Sequence, residues 1–186
     1  MRFRYWVLIA AGIFVVGIAA GVVVTVTMPA GITKVLADQF AALQELGTAL
    51  GPFHVSTAVF IFLKNASAIL LSFLFSPLLC LLPLLALLVN SALIAFIAPI
   101  VIEQKSVWFF LGGLLPHGVF EIPAFIIGEA VALSFGVTTL AAIFTGRGST
   151  YWLGNLRKNV RYLLLALALL VPAAVIETFV TPLLLR

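Results

Sequence analysis

Long apolar runs without charge, separated by short polar stretches, dominate the sequence. No charged residue occurs from Tyr5 to Thr33 or from Asn65 to Ile102. Each run exceeds the roughly 20 apolar residues that a helix needs to cross a bilayer. The apolar residues are continuous rather than alternating, which disfavours membrane strands. The pattern therefore predicts an all-α integral membrane protein that forms a single membrane domain over residues 1–186.

The polar breaks predict about five transmembrane helices. The first covers residues 1–28, and a helical core over residues 53–186 holds the others, at about 53–75, 77–102 and 162–183. The apolar segment between the third and the last, Val107–Thr145, is too long for one straight span. Because Pro116 and Pro123 remove backbone donors, we predict a half-helix at 107–115, a bend that includes Gly118, and a longer helix at 120–135.

A more polar stretch, residues 33–50, lies between the first two spans. Apolar residues such as Leu36 and Phe40 fall on one helical face, and Lys34 and Asp38 fall on the other. This periodicity predicts an amphipathic helix on the membrane surface or over the bundle.

Two patterns of small residues suggest close helix packing. Gly17 and Gly21 form a GxxxG pair in the first helix, which is a weak signal for dimerisation. A ladder of small residues spaced four apart follows the second proline of the broken segment, and it consists of Ala124, Gly128, Ala132 and Gly136. We expect another helix to approach the ladder closely.

Composition and charge agree with a membrane protein. Only 9% of residues are charged, whereas a soluble domain carries roughly a quarter. The net charge of +4 does not indicate nucleic acid, because basic residues lie at segment ends, where they meet lipid headgroups. With five spans, six of the ten basic residues share one side: Arg2, Arg4, Arg147, Arg157, Lys158 and Arg161. The positive-inside rule then predicts a cell-membrane protein with a cytoplasmic N-terminus and an external C-terminus.

Ionisable residues inside the apolar spans are the candidate functional groups, because each costs at least about 2.5–3.5 kcal/mol to insert. His117 and Glu121 are four residues apart and share a helical face, and Glu129 lies near that face. The full set comprises Lys64, His117, Glu121, Glu129 and Glu177, together with the amides Asn65 and Asn90.

Three chemistries fit this set. His117, Glu121 and Glu177 are candidate ligands for a divalent metal, although no motif requires a cofactor. The same groups suit proton or cation transfer at a broken helix. Lys64 is also a candidate structural partner for a glutamate, with the asparagines satisfying carbonyls freed by the prolines. Catalysis is disfavoured, because the HxxxE pattern differs from the HExxH of zinc proteases.

Four features resemble the stage II sporulation protein M family. They are "LLPHGVFEIPAFIIG", the closing "AAVIETFVTPLLL", and the asparagines Asn65 and Asn90 in the middle helices. The chain departs from the family pattern at Ser91, where glycine is common, and at Lys64 and Glu129.

The resemblance implies a multi-pass membrane protein without catalytic activity. It implies a scaffold or assembly protein, expected to form a homo-oligomer, most simply a dimer, and to contact other membrane or envelope proteins. The alternative is a small transporter or channel for protons or cations that uses the broken helix and its His and Glu residues.

Overall fold

The computed structural model describes residues 2–27, 51–78, 80–145 and 149–185, without the side chains of 149–153 and 155. Within these residues the chain forms helices and no strands. The predicted amphipathic helix at 33–50 lies outside the described residues. In lipid every backbone amide and carbonyl must be paired within the segment, which a continuous helix achieves.

Six helices follow one another in the described parts of the chain. They are α1 (Phe3–Thr27), α2 (Val55–Phe75), α3 (Leu81–Gln104), α4 (Val107–Thr145), α5 (Ser149–Phe179) and the short α6 (Thr181–Leu184). The first five contain stretches long and apolar enough to cross a membrane, and in α5 that stretch is Leu156–Phe179. The prediction of an all-α protein with about five spans is therefore confirmed.

The predicted break in the fourth span is wrong. Helix α4 runs without interruption for 39 residues and contains both Pro116 and Pro123. A proline removes one hydrogen bond and crowds the preceding turn, but residues on either side can keep helical geometry when neighbouring helices support them. Pro99 and Pro172 likewise lie inside α3 and α5. Proline count was therefore a poor guide to helix breaks here.

Two predicted boundaries also change. The last helix begins at Ser149 rather than at 162, so Arg157, Lys158 and Arg161 lie on α5 and not in a loop. Apolar content marks the part of a helix inside the membrane, whereas the helix itself continues into polar sequence. The third helix begins at Leu81 rather than at 77, after a tight turn in which Cys80 has a positive φ of 56°.

Helix α4 is the centre of the bundle and contacts each of the five other helices that the structure describes. Every residue from Gly128 to Gly136 is buried, so this part of α4 is enclosed on all sides. The ladder of small residues lets the neighbouring helices pack this closely around α4. A Cβ at Gly128 would lie 2.7 Å from Ile69 of α2, and one at Gly136 would lie 2.7 Å from the Cys80 sulfur. Ala124 and Ala132 are fully buried beside them.

The GxxxG pair of α1 packs inside the chain, against α3. A Cβ at Gly17 would collide with Ser91 and lie 2.7 Å from the Leu88 carbonyl oxygen, and one at Gly21 would lie 2.8 Å from the Ala92 Cα. The earlier glycine meets Leu88 and Ser91 and the later one meets Ala92, so residue numbers increase in the same direction on both helices. Helices α1 and α3 therefore run parallel. The pair is occupied by α3 of its own chain and is not free to bind a second copy.

Basic residues gather where α1 begins and α5 enters the bundle. Phe3 stacks on Tyr162 with ring centroids 3.7 Å apart, which joins the two helices. Arg2, Arg4, Lys158 and Arg161 surround this stack. We call this part of the bundle the basic end. Arg157, a fifth residue of the predicted group, also lies on α5, and the sixth, Arg147, is outside the described residues.

The glycine contacts predict which added methyl groups in α1 destabilise the protein. Gly17→Ala and Gly21→Ala should each destabilise the protein by about 1–3 kcal/mol, because the methyl meets α3 backbone. Gly12→Ala is the matched control, since nothing lies within 4 Å of a Cβ there. Thermal unfolding of the purified variants measures the effect. Equal melting temperatures for all three variants would contradict the α1–α3 packing.

Candidate functional site

The polar site forms where α4 passes the far end of α5, opposite the basic end. The two helices run antiparallel, so residues near the start of α4 lie beside the last residues of the chain. A Cβ at Gly112 would be 3.8 Å from Leu184, and one at Gly113 would be 3.8 Å from Leu185. This register brings the histidine and glutamate of α4 next to Glu177 of α5.

His117 is held by two contacts. Its Nε2 lies 3.7 Å from Glu121 Oε2, one helical turn further along α4. Its Nδ1 lies 3.4 Å from the Thr181 hydroxyl at the start of α6. Because α4 is continuous, the i, i+4 pair keeps helical geometry through the proline region. The imidazole therefore bridges α4 and the end of the chain.

Glu121 is also bound from α2. The Asn65 side-chain amide donates a hydrogen bond of 2.9 Å to Glu121 Oε1. A hydrogen bond to a carboxylate is stronger than one between neutral groups. Asn65 does not satisfy a carbonyl freed by proline, as the sequence had suggested, but binds the carboxyl group directly.

Glu177 completes a compact trio. One imidazole nitrogen of His117 and one carboxylate oxygen from each of Glu121 and Glu177 all lie within 4.8 Å of one another. All three residues are partly buried, with side-chain exposures of 13% for His117 and 31% for Glu121. We call these three residues the His-Glu-Glu cluster. The structure thus brings His117 and Glu121 of α4 together with Glu177 of α5, the three residues that the sequence grouped as candidate ligands.

Lys64 lies near the cluster but forms no salt bridge with it within 4.0 Å. It interacts electrostatically with Glu177, yet its side chain is exposed. Among the described residues, the one contact within 4.0 Å between a basic side chain and a carboxylate is that of His117 with Glu121. Lys64 is therefore not the buried partner that one interpretation of the sequence required.

Two other predicted members lie elsewhere. Glu129 is eight residues after Glu121, about 12 Å along α4, and is completely buried. Ser72 of α2 neighbours it, but neither carboxyl oxygen has a well-formed hydrogen bond within the described part of the chain. Asn90 is exposed on α3 and donates to the Ala86 carbonyl of its own helix. Neither belongs to the cluster.

The cluster lies far along α5 from the basic end. Glu177 follows Arg161 by sixteen residues, about 24 Å along α5 at 1.5 Å per residue. A bilayer core is about 30 Å thick. On α2, Asn65 follows Val55 by ten residues, about 15 Å, so its contact with Glu121 lies near the middle of that helix.

Thr181 was missed as a site residue, although a signal was present. It follows Glu177 by four residues in the "ETFVTP" string, and it is 6% exposed. The turn at Val180 separates α5 from α6. Chain spacing thus placed the hydroxyl near Glu177, but only the packing of α6 on α4 brings it to His117.

A comparison with protein families identifies the family of the chain. The family model of stage II sporulation protein M matches residues 10–182, nearly the whole chain. The chain belongs to the stage II sporulation protein M family. The matched range includes every residue of the His-Glu-Glu cluster, together with Asn65 and Thr181. Comparison with curated proteins and with solved structures finds no match.

Proposed function

We propose that this member of the stage II sporulation protein M family is a non-enzymatic scaffold of the cell membrane. In this role it would assemble with copies of itself and hold other membrane or envelope proteins. The basic end would face the cytoplasm by the positive-inside rule, which puts the N-terminus inside and the C-terminus outside.

The observation that carries this proposal is the connection of three long helices through one polar cluster. Asn65 of α2 binds Glu121 of α4, and Glu177 of α5 lies within the same cluster. Lipid tails are as apolar as the helix surfaces, so tight packing and polar contacts must hold a membrane bundle together. A bundle braced in this way presents fixed surfaces, which is what an anchoring protein needs.

The brace predicts that loss of the Glu121 carboxyl is costly. Glu121→Leu should lower stability by about 1–3 kcal/mol, because the half-buried Asn65 amide and the His117 imidazole lose their partner. Glu103→Leu is the matched control, since Glu103 is exposed at the end of α3. Melting temperature and size-exclusion profile of the purified proteins measure the effect. A wild-type melting temperature and a monodisperse peak for Glu121→Leu would count against the brace.

A transporter or channel for protons or cations is the second candidate, favoured by the convergence of two carboxyl groups and an imidazole. Its argument from paired half-helices no longer holds, because α4 is continuous. The two functions differ in one readout. A scaffold reconstituted in liposomes gives no proton or cation flux above that of empty vesicles, whereas a transporter gives flux that Glu121→Gln abolishes.

The proposal of self-assembly rests on Asn90. This residue follows Leu81 by nine positions, about 14 Å along α3, which places it near the middle of a 30 Å core. Its amide is exposed beside Val89 and Leu93, which are also exposed. A polar side chain facing lipid at this depth is unfavourable, and an amide on a second copy offers a hydrogen bond there.

The dimer therefore depends on an amide at position 90. Asn90→Leu should convert a wild-type dimer to a monomer, and Asn90→Gln should keep the dimer because it keeps the amide. Subunit counting by single-molecule photobleaching in lipid nanodiscs measures both. A wild-type monomer, or an Asn90→Leu protein that stays dimeric, would show that α3 is not the interface.

A further inference from the structure

We infer that His117, Glu121 and Glu177 bind one divalent transition-metal ion, for which Zn²⁺ is the first candidate. The ion would join α4 to α5 at the end of the bundle opposite the basic end. This inference adds a ligand to the brace and does not depend on the scaffold assignment.

The donor set has the chemistry of a three-ligand metal site. It offers one imidazole nitrogen and two carboxylate oxygens from two different helices. Zn²⁺ binds such donors at about 2.0–2.2 Å, which places tetrahedral ligand atoms about 3.3–3.6 Å apart. The three atoms already lie within 4.8 Å of one another, and His117 Nε2 is 3.7 Å from Glu121 Oε2. Small side-chain rotations bring them to ligand distance.

Residues outside the trio already orient two of the ligands. Asn65 occupies Glu121 Oε1 and leaves Oε2 facing the histidine. Thr181 contacts His117 Nδ1 and leaves Nε2 facing the carboxylate. Metal-binding histidines and carboxylates characteristically hold their second polar atom in this way, which fixes ring orientation and ligand direction. The two contacts come from α2 and α6, independently of the helices that carry the trio.

The charge of the cluster also favours a cation. Glu121 and Glu177 are close enough to repel each other electrostatically. Lys64, which interacts electrostatically with Glu177, is exposed and makes no contact within 4.0 Å with either carboxylate among the described residues. Two adjacent carboxylates in a membrane span are costly without a close counter-charge. One divalent ion balances both, and the 31% exposure of Glu121 leaves the site open on one side.

Full-length protein, stripped with a chelator and reconstituted in nanodiscs, provides the test. Zn²⁺ stoichiometry and affinity are measured first, and Co²⁺ is used as a spectroscopic probe, because its visible bands report a nitrogen and oxygen ligand set. The chain has two histidines, and the second, His54, is exposed at the start of α2. His54→Gln is therefore the matched control for His117→Gln.

The expected result is one Zn²⁺ per chain in the wild type and in His54→Gln, with at least tenfold weaker binding in His117→Gln and Glu177→Gln. The milder outer variants Asn65→Leu and Thr181→Val should weaken binding by about 10–100-fold. Thr181→Val leaves the hydrogen bond from Asn65 to Glu121 in place, so it keeps the test valid if a ligand variant fails to fold. Zn²⁺ should raise the melting temperature of the wild type and not that of His117→Gln.

Wild-type protein that binds no more Zn²⁺ than His117→Gln would overturn the inference. Loss of binding in His54→Gln would do the same, because the ion would then be held at the exposed histidine. If Glu121→Leu is destabilised while Zn²⁺ shifts no melting temperature, the brace stands and the metal site falls.

Discussion

The hydrogen bond from Asn65 to Glu121, with His117 and Glu177 beside it, is the contact on which the arrangement of the spans depends. The hydrophobic effect brings helices into the bilayer but discriminates poorly between lipid and protein once they are there. A polar side chain in a span does discriminate, because leaving it without a hydrogen-bond partner in lipid costs free energy. The cluster therefore selects one register for α2, α4 and α5 out of many that apolar packing alone would allow.

Close backbone approach supplies the rest of the specificity. Helix α4 can be surrounded because glycines and alanines occupy its contact face, and Gly128 and Gly136 leave no room for a side chain against α2 and the turn that follows it. Helix α1 uses the same device against α3 through Gly17 and Gly21. The two devices are complementary, since small residues permit contact near the basic end and at α1, and polar residues define the register near the opposite end.

Much of this could be predicted from the sequence, because the relevant signals are local. Charge-free runs identified the spans, and the i, i+4 spacing placed His117 beside Glu121. The failures came from tertiary context. Pro116 and Pro123 predicted a break that neighbouring helices prevent, and the polar start of α5 concealed a helix that begins at Ser149. Glu129 and Asn90 were grouped with the cluster because they are polar, whereas their depth and helix face separate them from it.

Sequence spacing does not tell which residues pair across helices, because any polar residue at a suitable depth is a candidate partner. Asn65 and Asn90 are both amides in apolar spans, yet only the first turns toward α4. Thr181 contacts His117 because the start of α6 packs against α4. Such pairings depend on the rotation of each helix about its axis, which the packing of small residues on α4 decides.

The most direct test of the cluster is a proximity measurement between its two ends in the chain. In a Cys80→Ala background, His117→Cys with Thr181→Cys is treated with a short bifunctional thiol reagent, and a specific protease site placed at 146–148 then separates α4 from α6. The account predicts that the two fragments remain covalently joined, and that the control pair Glu129→Cys with Thr181→Cys, about 18 Å further along α4, does not join. Separate fragments for the first pair, or equal joining for both, would contradict the account.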